Sequence, residues 1–485
     1  MAVQMNGRVG IRGWRPRIRR ILLGVASVAA LAVSGCVDVP REAPLERPLE
    51  PQMLGLSGAD YVAPTEGWWL AFDDPQLDQL VADALARNPG LAGALARVRS
   101  AEAQAQAVGA TGDPQASFDA AAYRQRISEH YIFPPPFAGS SLWQGQLGVN
   151  LAWNLDFWGR QAAMIRQSQR LAEAARFEAA GAGLLLSSAV TQSYVEFVRA
   201  RRMEEVAGQA ALQRQRITNL TRERVDAGLD THVELLGAEG GLARVGVDRE
   251  QARLAQASAV HALATLTGHG AGAAPLLAAP RLDLEQALVL PESLPADLLA
   301  HRPDVAAAQQ RVLAARAGSE VAAASFYPNI NLLAFAGFEA IGLDQLLDAG
   351  SRALSIGPAI HLPLFDGGRL RAEYSKAGAD WDAAVAAYND TVLRAVREVA
   401  DQLSRLQSLD RQLADQLRSL DAAEGAFRLS EQRYSAGLAS YLTVLDAETR
   451  VLEARRLRVQ LLADRTLARV ALLVALGGNF QESTG

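Results

Sequence analysis

The side chains that most often catalyse reactions or bind metals are sparse and scattered in this sequence. Its 485 residues contain one cysteine and six histidines, which form neither an HExxH pattern nor a zinc-binding set with the cysteine. Gly268, Gly270 and Gly272 imitate part of a dinucleotide-binding loop, but they follow a predicted helix, where that loop requires a strand. No nucleophile-elbow pattern occurs. The sequence therefore predicts no enzyme activity, no metal and no cofactor. The histidines are His130, His232, His261, His269, His301 and His361.

The single cysteine, Cys36, is a candidate for lipid attachment. It follows a basic segment and an apolar stretch, residues 21–33, which is too short to span a bilayer because a spanning helix needs about 20 residues. The order Val-Ser-Gly-Cys resembles the lipobox of bacterial lipoproteins, in which cleavage leaves an acylated cysteine at the new N-terminus. We therefore expect residues 1–35 to be a signal peptide and residues 36–70 an acylated tether. A buried free cysteine is the alternative.

Loss of the signal peptide would make the chain more acidic. It removes six arginines and lowers the formal net charge from −5 to −11. Nucleic acid is an unsuitable partner, since binding it requires clustered basic residues. The residue after the cysteine is Val37 rather than aspartate, which in lipoproteins of this kind implies sorting to the outer membrane. No second long apolar run follows, so any membrane crossing would have to be made by strands.

An internal repeat organises the rest of the chain. The motif at residues 224–229 returns 209 residues later at 433–438, and the N-terminal part of each repeat matches at an offset of 214. The extra residues of the first copy fall in a proline-rich loop. The expected organisation is repeat 1 at 71–268, an equatorial linker at 269–300, repeat 2 at 301–477 and a C-terminal tail at 478–485.

The hydrophobic period changes in the same order within each repeat. Apolar residues spaced three or four apart predict helices, and strict alternation predicts strands. Residues 160–226 contain no proline or turn cluster, so a helix of these 67 residues would reach about 100 Å. Helices are predicted at 76–113, 159–226, 230–268, 303–326, 367–436 and 440–477. Strands are predicted at about 115–126, 142–156, 329–339 and 352–364.

The four strands are predicted to form two hairpins, each with one apolar and one polar face. Four strands cannot close a barrel, since the smallest closed barrels have about eight. Open sheet edges cannot lie in lipid, so membrane insertion would require several chains to share one barrel. A soluble sandwich with its apolar face inward explains the alternation equally well. The very long helical hairpins favour a duct that crosses the periplasm.

Several segments resemble the TolC-like family of outer-membrane efflux lipoproteins. The strand-to-helix segments WNLDFWGR (153–160) and PLFDGGR (363–369) carry the resemblance, together with 302–305, 326–328 and 434–446. It covers nearly the whole mature chain, with the motifs in family order. The implied fold is mostly α with a membrane β-barrel contribution: two repeats, with four strands and long helical hairpins per protomer. The implied homotrimer forms a twelve-stranded β-barrel and a periplasmic α-barrel.

The same resemblance implies the function. Members of this family are lipid-anchored in the outer membrane and extend into the periplasm as passive exit channels of tripartite efflux pumps. Their substrates come from an inner-membrane pump, often a resistance-nodulation-division transporter, through a periplasmic adaptor. The alternatives are a type I secretion duct, which the lipobox disfavours, and a non-conducting periplasmic coiled-coil scaffold lipoprotein, which leaves the strands unexplained. The exported substrate is not identified by the sequence.

Three groups of residues receive structural or functional roles. Asp156 and Asp366 precede helices, where a carboxylate can accept hydrogen bonds from free backbone amides. The predicted strand-to-helix junctions are Asp156, Gly159, Arg160, Asp366, Gly368 and Arg369. The predicted adaptor-facing tips, for which plain helix capping is the simpler explanation, are Gly228, Leu229, Gly437 and Leu438. By resemblance, the predicted periplasmic gate consists of Leu442, Asp446 and Tyr434.

The gate region departs from the family's better-known members. Thr449 stands where some members have an arginine that binds the aspartate, and Thr443 stands where others have a second aspartate. An ionic lock on Asp446 would therefore be weaker here or would use Arg450 or Tyr434. The simpler interpretation of Asp446 is a solvated helix carboxylate. A ring of three carboxylates would favour cations in a narrow pore.

Overall fold

A computed structural model describes residues 47–49, 67–130, 132, 134–273, 277–286 and 302–478. The expected signal peptide and Cys36 lie outside these residues, as do most of the tether and the tail and much of the linker. The described residues form seven α-helices and four β-strands. The helices are α1 (Pro75–Arg87), α2 (Pro89–Ala110), α3 (Arg160–Asp226), α4 (His232–Leu266), α5 (Pro303–Ala324), α6 (Arg369–Ser435) and α7 (Tyr441–Ala475). The strands are β1 (Gln115–Arg126), β2 (Ser141–Asn154), β3 (Asn329–Ile341) and β4 (Arg352–His361).

The prediction of one helix over 76–113 is wrong, because the helix is interrupted at Asn88. This residue has extended backbone angles, φ −66° and ψ 122°. The proline at position 89 disfavours the helical conformation in the residue before it, so α1 has to end there. The Asn88 side chain then accepts hydrogen bonds from the Gly90 amide (2.8 Å) and the Leu91 amide (3.2 Å), which begins α2.

The C-terminal ends of three strands also differ from the expected ones. β2 ends at Asn154 rather than at residue 156, and β4 ends at His361 rather than at residue 364. The predicted strand tails belong instead to the turns that lead into α3 and α6. Pro363 lacks an amide hydrogen and cannot continue the β4 ladder. β3 extends two residues further than predicted, to Ile341.

The chain divides into two compact units that do not coincide with the two repeats. The strand unit contains the described residues within 111–163 and 318–378, and the helical unit contains those within 44–110, 164–317 and 379–485. Each repeat therefore contributes to both units. None of the helices in the described residues carries an apolar stretch long enough to span a membrane.

The strand unit contains a single four-stranded antiparallel sheet in the order β1-β2-β3-β4. Representative pairs are Gln115 with Ala152, Gln144 with Ile341, and Asn329 with His361. The first and second hairpins are therefore neighbours in one sheet, joined along β2 and β3. Only β2 and β3 have a partner on both sides, so β1 and β4 are its open edges within the described chain.

The two faces of this sheet differ in chemistry. On one face, side chains that pair across strands are apolar and solvent-exposed, with Leu354 81% exposed and Ile356 77% exposed. On the other face, Asn150 donates a 2.7 Å hydrogen bond to Asp119, and Gln146 donates a 3.1 Å bond to Glu339. The sheet thus carries its polar network on one side, and no layer formed by the described residues covers its apolar side.

The helical unit has a large core around α1, α3, α4, α6 and α7. Its most buried members include Trp68, Leu77, Tyr194, Leu263 and Leu472. The apolar stripes of these helices, spaced three or four residues apart, predict this packing. A smaller core lies where the two helical hairpins turn, and its members are Ile217, Ala238, Phe427, Tyr434, Tyr441, Val444, Ala447 and Val451.

Asp74 fastens part of the linker to this core. Its Oδ2 atom accepts hydrogen bonds from the Tyr194 hydroxyl (2.7 Å) and from the amides of Arg281 and Leu282 (2.8 Å each). Its Oδ1 atom accepts a 3.0 Å bond from the Gln76 amide. A buried carboxylate with four donors is fully satisfied, so residues 277–286 are held as an ordered part of the helical unit.

Candidate functional site

Both helical hairpins turn through the same backbone motif. At the end of α3, the Gly228 amide donates to Val225 O (2.9 Å) and the Leu229 amide to Arg224 O (2.8 Å). This pair of bonds is a Schellman motif, which requires a left-handed residue, and Gly228 has φ +67°. The glycine therefore ends the helix and reverses the chain.

The second hairpin repeats this turn at the end of α6. The Gly437 amide donates to Tyr434 O (2.9 Å), the Leu438 amide donates to Arg433 O (2.7 Å), and Gly437 has φ +75°. Leu229 and Leu438 are 65% and 70% exposed. Each tip thus presents one leucine to solvent, in addition to capping its helix.

Leu442 and Asp446 lie on one exposed face of α7, just after the second tip. Leu442 is 68% exposed. Asp446 forms an ion pair with Arg450 on the next turn of the same helix, with Nη2 and Oδ2 3.1 Å apart. Because both side chains of this pair are exposed, it is screened by solvent and holds the carboxylate only weakly. The Thr449 hydroxyl donates a hydrogen bond to Leu445 O (2.8 Å). It therefore does not bind Asp446, as the arginine at this position in some family members is expected to do.

Tyr434 is not on that exposed face. It is 1% exposed, and its hydroxyl donates a 2.6 Å hydrogen bond to Asp230 Oδ2 at the turn of the first hairpin. Its ring lies under the Arg224 guanidinium, 4.6 Å from its centre, and Arg224 also forms an ion pair with Asp230 at 2.9 Å. Tyr434 thus joins the two hairpin tips instead of lying on the exposed face with Leu442 and Asp446, and its assignment to the gate stays a prediction.

The charges of this tip network follow from its contacts. Burial, and then the hydrogen bond to Asp230, raise the pKa of Tyr434 to about 12. The hydrogen bond from Arg224 lowers the pKa of Asp230 despite partial burial, and the tyrosine hydroxyl lowers it further. Asp230 therefore stays ionised and Tyr434 stays a hydrogen-bond donor across the physiological pH range.

The strand-to-helix junctions of the two repeats use the same capping scheme. Asp156 accepts hydrogen bonds from the amides of Gln161 (3.0 Å) and Ala162 (2.8 Å). Asp366 accepts from Gly368 (3.0 Å) and Leu370 (2.8 Å), and these bonds, the Leu370 bond first, lower its pKa. Each carboxylate thereby satisfies free amides at the start of a 67-residue helix.

The glycines and arginines of the junctions have separate roles. Gly159 and Gly368 have φ +72° and +90°, conformations that the turn from strand to helix requires. Arg160 and Arg369 line a cavity of about 180 Å³ in the strand unit. Arg369 also forms an ion pair with Glu373 at 2.7 Å. The junction residues thus shape the path of the chain from strand to helix.

Two charged groups near the tips were missed by the sequence reasoning. Asp230, which binds Tyr434, follows the tip glycine by two residues and precedes the capping box of Thr231 and Glu234, in which the Thr231 amide donates to Glu234 at 3.0 Å. That capping box is visible in the sequence. Glu448 was also missed, although it lies on the apolar stripe of α7, where a charged residue signals a buried partner.

Comparison with known proteins agrees with this architecture. The sequence profile of the family described as outer membrane efflux protein matches residues 80–269 and 294–478. The fusaric acid resistance protein FusA of Burkholderia cepacia is 34% identical over 369 residues, which cover 73% of this chain and 70% of that protein. The pyoverdine export outer membrane protein OpmQ of Pseudomonas aeruginosa is 30% identical over 94% of this chain and 96% of its own length.

A solved structure also has a similar fold. The crystal structure of the outer membrane protein VceC from Vibrio cholerae matches with a TM-score of 0.81 and 33% identity, over 87% of this chain and 100% of that chain. The profile match covers more than half of the sequence in two blocks, one for each repeat. This chain therefore belongs to the outer membrane efflux protein family and is an outer-membrane efflux channel protein.

Proposed function

We propose that three copies of this chain form one passive exit duct, which receives its cargo from an inner-membrane transporter through a periplasmic adaptor. This proposal rests on the unpaired edges of the β-sheet. β1 and β4 each lack an outer partner within the described chain. One face of the sheet that they border is apolar and exposed. In lipid, such edges have to be paired, so the sheets of several copies are joined edge to edge.

The relatives support a duct of low selectivity. One is named for fusaric acid resistance and another for pyoverdine export, two chemically different cargoes. We infer that the cargo of this chain is chosen by the transporter that delivers it. The exposed tip leucines Leu229 and Leu438 are the proposed contacts of the adaptor.

The duct is tested by conductance and assembly. Full-length protein in planar bilayers is expected to give discrete channels, and unheated detergent gels are expected to show a trimer that dissociates on boiling. A folded monomer without conductance would reject the proposal. Crosslinkers placed at Leu229 and Leu438 should capture the adaptor, and capture only at distant positions would reject the tip assignment alone.

The proposed gate consists of three copies of Leu442 and Asp446. Both side chains are exposed on one face of α7, where they are free to line a constriction in an assembly. A leucine ring resists wetting, and a carboxylate ring favours cations. Leu442→Ala and Asp446→Ala should each increase single-channel conductance, and Asp446→Ala should reduce cation selectivity. Parent-like values for both variants would contradict the gate assignment.

The chain is also proposed to carry a lipid on Cys36. The described segment nearest to it, residues 47–49, is bound to helix α6: the Leu49 amide donates to Asn389 Oδ1 and Asn389 Nδ2 donates to Arg47 O, both at 2.9 Å. The eleven peptide links from Cys36 to Arg47 can span at most about 40 Å. Labelled palmitate should be incorporated into the parent and not into Cys36→Ala, and equal incorporation would reject the anchor.

A further inference from the structure

A charged pair is buried between the two helical hairpins close to the proposed gate. Arg214 on α3 and Glu448 on α7 are 2.9 Å apart, Nε to Oε2, and their side chains are 8% and 1% exposed. The two helices belong to different repeats. The pair therefore links the first hairpin to the helix that carries Leu442 and Asp446.

The surroundings of the pair are apolar and incompletely hydrogen-bonded. Tyr441 and Val444 of the tip core lie on the same stripe of α7. Within the described residues, Arg214 Nε and Glu448 Oε1 are both buried without a hydrogen-bond partner, so charge attraction rather than an aligned hydrogen bond joins the two side chains. Such a pair contributes little net stability compared with apolar residues of similar size, so its presence points to orientation rather than to strength.

The neighbouring hairpin helix leaves room for the arginine. A Cβ atom on Gly241 of α4 would overlap with Arg214 Nη1, whereas a Cβ atom on Gly240 would meet nothing within 4 Å. A side chain at position 241 would therefore push the flexible end of Arg214 away from its present position beside α4.

The position of Glu448 determines where the gate residues point. Successive helical residues are rotated by about 100°, which places Asp446 about 160° and Leu442 about 120° around α7 from Glu448. When Glu448 faces Arg214, both gate residues must therefore face away from the protomer core. Their observed exposure, 67% for the Asp446 side chain and 68% for Leu442, agrees with this rotation.

We propose that Arg214 and Glu448 are positioning residues, which fix the rotation of α7 and thereby hold Leu442 and Asp446 in the constriction. This inference rests on the proposed gate. Without the charge pair, α7 can rotate about its axis, and the two gate side chains leave the constriction. The channel then conducts more.

The pair also gives the gate a pH dependence. Burial raises the pKa of Glu448 to about 7; the Arg214 charge opposes this shift and Glu431 on α6 adds to it. Together with the Tyr441 hydroxyl on α7, these are the titratable or charged groups identified around the carboxyl. As the pH falls through 7, Glu448 becomes neutral and loses its attraction to Arg214. Conductance should therefore rise from pH 8 to pH 6.

The experiment measures single-channel conductance of the full-length trimer between pH 6 and pH 8. Glu448→Gln should increase conductance about twofold at pH 8 and remove the pH dependence. Gly241→Ala, which displaces Arg214 from the α4 side, should act in the same direction. The matched controls are Gly240→Ala and Glu453→Gln, an exposed carboxylate on the same helix, and both should match the parent.

The double variant Arg214→Met/Glu448→Met is the control for misfolding of the single variants, because apolar replacement of both partners keeps the core packed. It should form trimers with high conductance that does not change with pH. If Glu448→Gln keeps the parent's conductance and pH profile while Asp446→Ala still opens the channel, the positioning inference is wrong and the gate stands. If neither variant changes conductance, the gate itself is wrong.

Discussion

The hydroxyl of Tyr434, on α6, is hydrogen-bonded to Asp230 at the turn of the first hairpin, 204 residues away in the chain. The contact joins the tips of the two repeats, so it opposes their separation. Tyr434→Phe leaves the ring in place and deletes the hydroxyl contacts with Asp230 and Thr221. A hydrogen bond to an ionised partner such as Asp230 contributes about 1.5–3 kcal/mol. We expect more frequent opening in single-channel recordings.

The matched control for this variant is Tyr388→Phe. Tyr388 of α6 packs against a different core of the helical unit, and burial alone raises the pKa of its hydroxyl. Loss of that hydroxyl should leave gating unchanged and should not lower thermal stability. Equal effects of the two substitutions would show that loss of packing, rather than the Asp230 bond, controls opening.

The pattern of strands and long helices could be predicted because it depends on local periodicity. Alternation marks the strands, and Gly228 and Gly437 mark the two turns, since both ends require a left-handed residue. The break at Asn88 was missed, although the proline that follows it indicates the end of a helix. Boundaries near residues 156 and 364 were less accurate, because alternation continues into turns that are no longer paired.

The contacts between distant segments could not be predicted in the same way. Arg450 and Tyr434 were both candidates to bind Asp446; Arg450 does so, whereas the Tyr434 hydroxyl binds Asp230, because α6 packs against the first hairpin. The direct pairing of β2 with β3 likewise joins different repeats. A local sequence pattern does not predict contacts between distant residues, since these depend on the rotation of each helix and on the order of the strands in the sheet.

A second prediction concerns acid stability and Asp74. Burial alone would raise its pKa, but hydrogen bonds from Tyr194 and from three backbone amides outweigh it and lower the pKa below the usual 3.8. The ionised carboxylate therefore stabilises the fold above pH 3.8, and this contribution is lost as the pH falls through the lowered pKa. Asp74→Asn should cost about 2–3 kcal/mol at neutral pH, since an amide group then faces buried donors.

Thermal unfolding followed by circular dichroism at several pH values tests this expectation. The difference in melting temperature between parent and Asp74→Asn should be constant near neutral pH and shrink in acid. The exposed neighbour Asp73 provides the control, Asp73→Asn, which should melt with the parent at every pH. A difference between the parent and Asp74→Asn that persists unchanged in strong acid would show that the charge of Asp74 is unimportant.

A third prediction concerns the contact between the N-terminal segment and α6. Asn389 is both acceptor for the Leu49 amide and donor to Arg47 O. Asn389→Leu removes both bonds and should accelerate hydrogen exchange of the Leu49 amide about fivefold, as expected for about 1 kcal/mol. Asn389→Asp keeps the acceptor and should retain most of the protection. Equal exchange in the parent and the leucine variant would mean that this segment is held by other contacts.

A fourth prediction separates backbone strain from packing in the helical hairpins. Gly437→Ala places a side chain at φ +75° in open space, so strain alone should destabilise the turn by about 1 kcal/mol. Gly246 lies inside α4 with nothing within 4 Å of an added Cβ, and Gly246→Ala should stabilise the helix by about 1 kcal/mol. Melting temperatures that shift in the same direction would contradict this assignment.

The antiparallel order of the four strands has a consequence for how copies meet. Because the number of strands in the sheet is even, β1 and β4 run in opposite directions. When identical chains are arranged around an axis, β4 of one copy then meets β1 of the next as an antiparallel neighbour, whatever the number of copies. An odd count would force a parallel pair with slanted hydrogen bonds at every junction. The parity of the sheet thus lets the seams between chains use the same ladder geometry as the strands within them.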